Sequence, residues 1–171
     1  THLSAMSAVY KKFVAAGVVP SNPRSQIEVR REVCRKGKTR IFTEADFLRM
    51  VAQCEKKDLR SIRDKALLLT MYYSFIRVSA FCKMRFRDVD FKAGMARCIE
   101  KGNNFIEVKV PEVALKALKD WKEASELGGD SHIFRGITRH DKVLDTGLAS
   151  SRQSVWEVVK RLADKTGLDH I

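Results

Sequence analysis

The sequence predicts a mainly helical α+β fold with a small three-stranded antiparallel sheet. Apolar residues recur at helical spacing over most of the chain, and the spacing changes to alternation only across residues 89–110. The 171 residues are enough for one sizeable core. The central helix, predicted over residues 61–76, is apolar nearly all round in its second half, which is typical of a helix buried on most sides.

The N-terminal elements are a helix and a basic linker. Residues 1–16 carry apolar side chains at helical spacing, and Gly17 is expected to end this helix. A Pro-Ser-Asn-Pro break follows, and residues 24–40 are strongly basic. This basic stretch predicts a segment that follows phosphate groups, with a solvated linker as the alternative. The predicted domains are therefore residues 1–21, a linker over 22–42, and residues 43–171.

Residue types at the helix ends predict where the next two helices begin. Thr43 can cap a helix whose third residue, Asp46, completes a capping box. The central helix is expected to begin at Ser61 as its N-cap, with Asp64 in its third helical position. Both helices should present apolar faces to the same core.

Two further helices follow the predicted strands. Pro111 is expected at the first helical position of one of them, and Gly128 is expected to end it. Its inward face is predicted from four residues: Val113, Ala117, Leu118 and Trp121. The last helix should start near Ser150 or Ser151 and end at Gly167.

Alternating residues predict the three strands, at about residues 89–91, 95–99 and 105–110. Short turns at 92–94 and 101–104 would connect them as a meander. A meander of this size needs helices to cover one face.

Composition favours a polyanionic partner. The chain has 33 Lys and Arg against 21 Asp and Glu, a formal net charge of +12. Nucleic acid is the first candidate, an anionic membrane surface the second, and a generic basic protein the alternative. No apolar run is long enough for a transmembrane helix. No cysteine spacing indicates zinc or disulfides and no glycine-rich loop indicates a nucleotide, so the sequence predicts no metal and no cofactor.

Arg77 follows directly after the apolar run of the central helix. A guanidinium at the end of a buried helix is costly to bury unless an anion meets it. That anion is either a carboxylate of the protein, such as Asp88 or Asp90, or a phosphate of a ligand.

The order of these motifs resembles the catalytic domain of the tyrosine recombinases, the phage integrase family. The resemblance rests on Arg77-Val78-Ser79 after the central helix, on residues 84–91, on Lys101-Gly102-Asn103 at a hairpin tip and on Val110-Pro111 after a strand. Residues 8–23 are similar to the end of that family's N-terminal core-binding domain. The resemblance covers essentially the whole chain and implies the DNA breaking-rejoining catalytic fold.

The resemblance implies site-specific DNA recombination or integration through a 3′-phosphotyrosyl intermediate, without metal or nucleotide. It assigns Arg77 to the first catalytic arginine and Lys101 to the hairpin lysine, with Lys109 a weaker candidate for the latter. A guanidinium can meet two non-bridging phosphate oxygens, and an ammonium can protonate the leaving 5′ oxygen. The alternative for Lys101 is an ordinary exposed turn lysine.

The chain departs from the family pattern in three places. Phe75-Ile76 stands where the family usually has Gly-Leu, and Ala80 stands where an acidic residue buttresses the arginine. The His-x-x-Arg pair, the second His or Trp and the nucleophilic tyrosine belong C-terminal to the last helix. All three tyrosines, Tyr10, Tyr72 and Tyr73, precede Arg77, so none is expected to be the nucleophile. We therefore expect a truncated recombinase that binds DNA weakly and does not cleave it.

The remaining predictions concern partners and alternatives. Double-stranded DNA is the expected partner, with Lys38, Arg40, Arg139 and Arg152 as candidate contacts, and the full-length protein is expected to act as a dimer or tetramer on DNA. Such a protein would work in the cytoplasm at the nucleoid of a prokaryote or phage host, or in a eukaryotic nucleus. The alternatives are a non-catalytic DNA-binding protein on a degenerate recombinase fold and a basic helical protein that binds acidic proteins or membranes.

Overall fold

The computed structural model describes residues 2–27, 41–99, 104–144 and 150–168. The chain forms two compact units, Thr1–Lys38 and Thr39–Ile171. Most of the predicted basic linker lies outside the described residues, so the boundaries given above stay a prediction.

The first unit contains helix α1 (His2–Ala15) and a 3-10 turn (Pro23–Gln26). Gly17 ends α1 as predicted, with φ +70°, a conformation that favours glycine. Asn22 caps the 3-10 turn and donates a hydrogen bond to the backbone oxygen of Ser7 at 3.1 Å, which fastens the turn to α1. No residue of α1 is buried, so its apolar stripe is uncovered within the described part of this unit.

The second unit is built on α3, which packs along α5. Its helices are α2 (Glu44–Ala52), α3 (Leu59–Ser74), α4 (Val78–Phe81), α5 (Glu112–Ser125) and α6 (Arg152–Lys165). The strands β1 (Val89–Asp90), β2 (Met95–Ile99) and β3 (Phe105–Lys109) form an antiparallel sheet in the order β1-β2-β3. This architecture confirms the predicted mainly helical fold with its small sheet.

Trp121 of α5 lies at the centre of the core, with none of its surface exposed. Its indole Nε1 donates a hydrogen bond to the carbonyl oxygen of Ile133 at 2.6 Å. The indole thereby fixes the segment that follows α5 against the helical layer, because a buried donor needs an acceptor.

The predicted N-cap is correct for α2 and wrong for α3. The capping box of α2 is confirmed: Thr43 Oγ1 accepts the N–H of Asp46, and the Asp46 carboxylate accepts the N–H of Thr43. The predicted start of α3 is wrong, because Asp58 rather than Ser61 is the N-cap. Asp58 Oδ1 accepts the N–H of Ser61 at 2.8 Å, and the N-cap lies three residues earlier than expected.

Because α3 begins at Leu59, Asp64 is its sixth residue and lies beyond the first turn. Asp64 is buried, with 1% of its surface exposed. Its Oδ1 accepts hydrogen bonds from Arg63 Nε at 2.9 Å and Nη2 at 2.6 Å, and its Oδ2 accepts one from Arg161 of α6. This three-residue network joins α3 to α6.

Helix α5 differs from the prediction at its start, at its end and on its buried face. Pro111 is the N-cap, one residue before the helix. The helix ends at Ser125 because Glu126 adopts a left-handed conformation with φ +56°, ahead of Gly128. Val113 is 48% exposed, because the buried face is set by Ala114 and the residues three, four and seven positions after it.

The last helix follows the prediction more closely. Ser151 is the N-cap of α6, and its side chain accepts the N–H of Ser154 at 3.0 Å. Gly167, with φ +72°, follows the helix as expected. The described part of the β2–β3 hairpin ends in the pair Ile99–Phe105, and residues 101–103 of its predicted tip lie outside the described residues.

Candidate functional site

Arg77 lies where the chain turns from α3 into α4. Ile76 before it is buried, and the carbonyl oxygen of Arg77 accepts the N–H groups of Ala80 and Phe81, both at 2.9 Å. These bonds fix the backbone of Arg77 as the N-cap of α4 while the residue itself is exposed. Because the residue is exposed, the burial cost expected for its guanidinium does not arise.

The two departures from the family pattern beside Arg77 have clear structural counterparts. Phe75 adopts a left-handed conformation, φ +52° and ψ 23°, and is 89% exposed. Glycine adopts this conformation without the steric cost that a Cβ atom brings. Ala80 is buried and contributes a methyl group to the core where the family has a carboxylate.

The two carboxylates considered as internal partners of the arginine have other roles. Asp88 Oδ2 accepts the N–H of Arg85 at 2.8 Å. Asp90 Oδ1 accepts the N–H groups of Lys92 and Ala93, both at 2.9 Å, and these backbone bonds lower the pKa of Asp90. Both carboxylates thus shape the backbone around β1.

The tip end of the β2–β3 hairpin lies beside α4. A cavity of about 270 Å³ is lined by Ala80 and Lys83 on one side and by Ile99 and Phe105 on the other. Lys101 belongs to the turn between these two strands but lies outside the described residues. Lys109 pairs with Met95 at the opposite end of the hairpin, four residue pairs or roughly 14 Å away, so it is the poorer candidate.

Arg152 also lies beside α4. It is the first residue of α6, which packs against α4, and it is exposed. Burial raises the pKa of the Cys82 thiol at the end of α4, and the nearby charge of Arg152 partly opposes that rise. Arg77, the N-cap of α4, and Arg152, the first residue of α6, thus belong to two helices that pack against each other.

Arg139 lies at the other end of α3. It is an exposed residue in the turn of a small hairpin closed by the bridge between Ile137 and Val143. Asp141 of this turn accepts the N–H of Leu59, the first residue of α3, at 3.1 Å. Since α3 has 16 residues and is about 24 Å long, Arg139 is not brought close to Arg77. Lys38 and Arg40 lie outside the described residues.

Tyr72 and Tyr73 of α3, and the buried cysteines Cys54 and Cys98, have packing roles. Tyr72 stacks on Phe47 with ring centroids 3.7 Å apart, and Tyr73 meets Phe47 edge to face. Burial raises the pKa of Cys54 and of Cys98 to about 11, which keeps both thiols protonated at neutral pH. These environments support the expectation that the nucleophile lies elsewhere.

Arg135 is a buried residue for which the sequence analysis predicted no role. The residue is 5% exposed, and its Nε and Nη1 have no hydrogen-bond partner in the described structure. It follows Ile133 and Phe134 in a segment without regular periodicity, so no sequence pattern distinguishes it from an exposed loop arginine.

Comparisons with known proteins identify the class of protein. The sequence model described as the phage integrase family matches residues 40–171, and the chain therefore belongs to the phage integrase family. This confirms the resemblance drawn from the motif order.

The relatives are tyrosine recombinases. The tyrosine recombinase XerC of Xanthomonas axonopodis pv. citri is 28% identical over 166 residues, covering 97% of this chain and 51% of XerC. The crystal structure of XerA recombinase matches with a TM-score of 0.63 at 14% identity, covering 87% of this chain and 52% of that one. A lambda integrase(75-356) dimer bound to a COC' core site matches with a TM-score of 0.62 at 17% identity, covering 96% and 56%. The chain thus spans about half the length of the relatives it matches, and the structural likeness supports the fold.

Two further findings concern membrane spans and metal sites. None of the helices in the described ranges is long and apolar enough to span a membrane. Within the same residues, no cluster of three or more His, Cys, Asp or Glu side chains could hold a metal ion.

Proposed function

We propose that this chain contributes the first catalytic arginine and a DNA-binding surface to a tyrosine recombinase that cuts and rejoins DNA at specific sites. The observation that carries the proposal is the exposed Arg77, held by its backbone at the start of α4 in a chain of the phage integrase family. The nucleophilic tyrosine and the His-x-x-Arg pair belong to the part of the family pattern that follows Gly167.

The role proposed for Arg77 is to bind the scissile phosphate. In the pentacoordinate transition state charge develops on the non-bridging oxygens, and a planar guanidinium can donate hydrogen bonds to two of them. The hydrogen bonds from Ala80 and Phe81 fix the backbone of Arg77 before DNA binds, which supports a preorganised position for the residue.

The role proposed for Lys101 is proton donation to the leaving 5′ oxygen. Supporting this role, the strands on either side of its turn reach α4. Arg152 is proposed to contact DNA beside the scissile phosphate, and Lys38, Arg40 and Arg139 to contact DNA further away. The proposed partner is duplex DNA, bound by two or four copies of the protein. Such a protein would act where the DNA is, at the nucleoid in a bacterial cytoplasm.

Binding of this chain to duplex DNA tests the proposal, measured by fluorescence anisotropy over a range of salt concentrations. The logarithm of the affinity should fall linearly with the logarithm of the salt concentration, with a slope of about −0.9 for each phosphate contact. A salt-independent or undetectable interaction would contradict DNA binding.

Arg77→Ala tests the central assignment. Because Arg77 is exposed, we expect its replacement to change the free energy of unfolding by no more than about 0.5 kcal/mol, while DNA affinity falls about tenfold. Arg87→Ala is the control, because it removes an equal charge at a side chain that is 61% exposed. Unfolding of the domain by Arg77→Ala would show an internal structural role instead.

A non-catalytic DNA-binding protein is the second candidate, favoured by the buried methyl group of Ala80 where the family has an acidic residue. A nicked suicide substrate separates the two. A recombinase that includes the sequence following Gly167 accumulates a covalent phosphotyrosyl adduct, whereas a binder forms none. This chain by itself should form none, since its tyrosines all precede Arg77.

A further inference from the structure

Arg135 lines a cavity of about 260 Å³ between α3 and the start of α6. The polar side chains on its wall are Arg63, Arg135, Ser150, Ser151 and Ser154. Among the described residues, neither an aspartate nor a glutamate lines it, and the two charged side chains on its wall, Arg63 and Arg135, are both positive.

The guanidinium of Arg135 lacks an internal counter-charge within the described structure. The residue is 5% exposed, and both Nε and Nη1 are buried without a hydrogen-bond partner. A buried charge left in this state carries a large desolvation penalty, comparable to that of breaking a buried ion pair. Such a cost is understandable if an anion occupies the cavity when the protein is at work.

Arg63 holds Arg135 in this position. Arg63 Nη1 donates a hydrogen bond to the carbonyl oxygen of Arg135 at 3.0 Å, while its Nε and Nη2 bind Asp64. The carboxylate of Asp64 is thereby engaged by Arg63 and Arg161. It is therefore committed to that network and not to neutralising Arg135.

The N-terminus of α6 faces the same cavity through Ser151 and Ser154. The helix has 14 residues, and the N–H groups of its first turn have no acceptor within a helix. Ser151 engages one of them, the N–H of Ser154, at 3.0 Å. The remaining first-turn amides and the helix dipole favour an anion at this end.

We propose that this cavity binds a phosphate group, with one oxygen accepting from the unpartnered guanidinium of Arg135 and another from the first turn of α6. The occupant is a backbone phosphate of the DNA, separate from the scissile phosphate bound by Arg77. This inference rests on the proposed function for its source of phosphate, and it deepens that function by adding a buried phosphate contact.

Inorganic phosphate tests the site without DNA. Thermal unfolding of this chain is followed as phosphate replaces chloride at constant ionic strength. Wild type should gain at least about 2 °C in Tm, Arg135→Met should gain nothing, and Arg87→Met, which removes an exposed charge, should respond as wild type does. In phosphate-free buffer Arg135→Met should melt no lower than wild type, because it removes an unpaired buried charge.

The opposite pattern overturns the site. If wild type does not respond to phosphate, or if Arg135→Met melts several degrees lower in phosphate-free buffer, the arginine serves the fold and not an anion. Arg135→Gln is the second variant should the methionine variant not fold. If neither folds, the arginine is structural and the proposal fails.

Duplex DNA distinguishes the two sources of phosphate. If a DNA phosphate fills the site, Arg135→Met should weaken binding about tenfold and make the salt slope shallower by about 0.9 relative to Arg87→Met. Equal DNA binding by both variants would overturn the DNA phosphate as occupant, even where inorganic phosphate raises the Tm. Failure of wild type to bind DNA at all would instead sink the proposed function, and the melting experiment would still decide the anion site.

Discussion

Phe75 combines two unfavourable properties at the residue scale, a left-handed backbone and an aromatic ring that is 89% exposed. A non-glycine residue in this conformation costs roughly 1–2 kcal/mol, and an exposed ring regains little of that through packing. The chain therefore accepts local strain two residues before Arg77. Family resemblance drew attention to this position, but only the backbone angles show why glycine suits it.

Phe75→Gly should stabilise the protein by about 0.5–1 kcal/mol. The gain is the relieved steric cost less the larger entropy that glycine has in the unfolded chain, about 0.5–1 kcal/mol. Urea unfolding measures it. Phe75→Ala is the matched control, because alanine also lacks the ring but keeps a Cβ atom, and its stability should stay close to that of wild type. An equal gain in both variants would assign the effect to the exposed ring.

At the scale of the secondary-structure elements, helix starts were predictable where the capping side chain and the amide it binds lie within a few residues of each other. The Thr43 capping box was correct, and the last helix starts at one of its two predicted positions, because each needs only a side chain and an amide three positions apart. The start of α3 was wrong because Asp58 and Ser61 are both good caps, and the local sequence does not decide between them. The left-handed Glu126 carries no sequence signal at all.

The capping box of α2 predicts a pH dependence. The N–H of Thr43 and then the side chain of Arg49 hold the pKa of Asp46 at about 2, below its value of 3.8 in a model compound. A carboxyl group with a lowered pKa in the folded state adds stability that is present above about pH 4 and lost as the pH falls towards 2.

Asp46→Asn should therefore lose less Tm between pH 5 and pH 2 than wild type, while melting lower than wild type at neutral pH. Thermal unfolding followed by circular dichroism across this pH range measures both effects. Glu44→Gln, in the same helical turn, leaves the capping box intact and should follow the wild-type profile. Parallel profiles for Asp46→Asn and wild type would show that Asp46 does not carry this dependence.

At the scale of the whole molecule, the chain order of elements was predictable and the sites between them were not. Helix and strand periodicity gave the α+β architecture, since each element is amphipathic on its own. The cavity at Arg135 joins α3, the segment after Ile133 and α6, which lie far apart in the sequence. Nothing local in the sequence indicates that an arginine between them is buried.

Asp64 should be the most sensitive polar residue of the second unit. Asp64→Ala removes the carboxylate that holds Arg63 and Arg161, and leaves Arg63, whose side chain is 11% exposed, without its partner. We expect a loss of about 3 kcal/mol in the free energy of unfolding by urea. Asp164→Ala, which removes an exposed carboxylate from α6, should change it by no more than about 0.5 kcal/mol. Equal losses would show that the network does not stabilise the fold.

The Asp64–Arg161 contact also sets a limit on when this protein can fold in the cell. The two residues are 97 positions apart, and a ribosome that adds about 5–20 residues per second makes the first of them roughly 5–20 s before the second. Until α6 is synthesised, a carboxylate that is buried in the finished protein has only its neighbour Arg63 to oppose it. The apolar side of α3 consequently stays open to other nascent chains and to chaperones during that interval, and the unit closes late and as a whole.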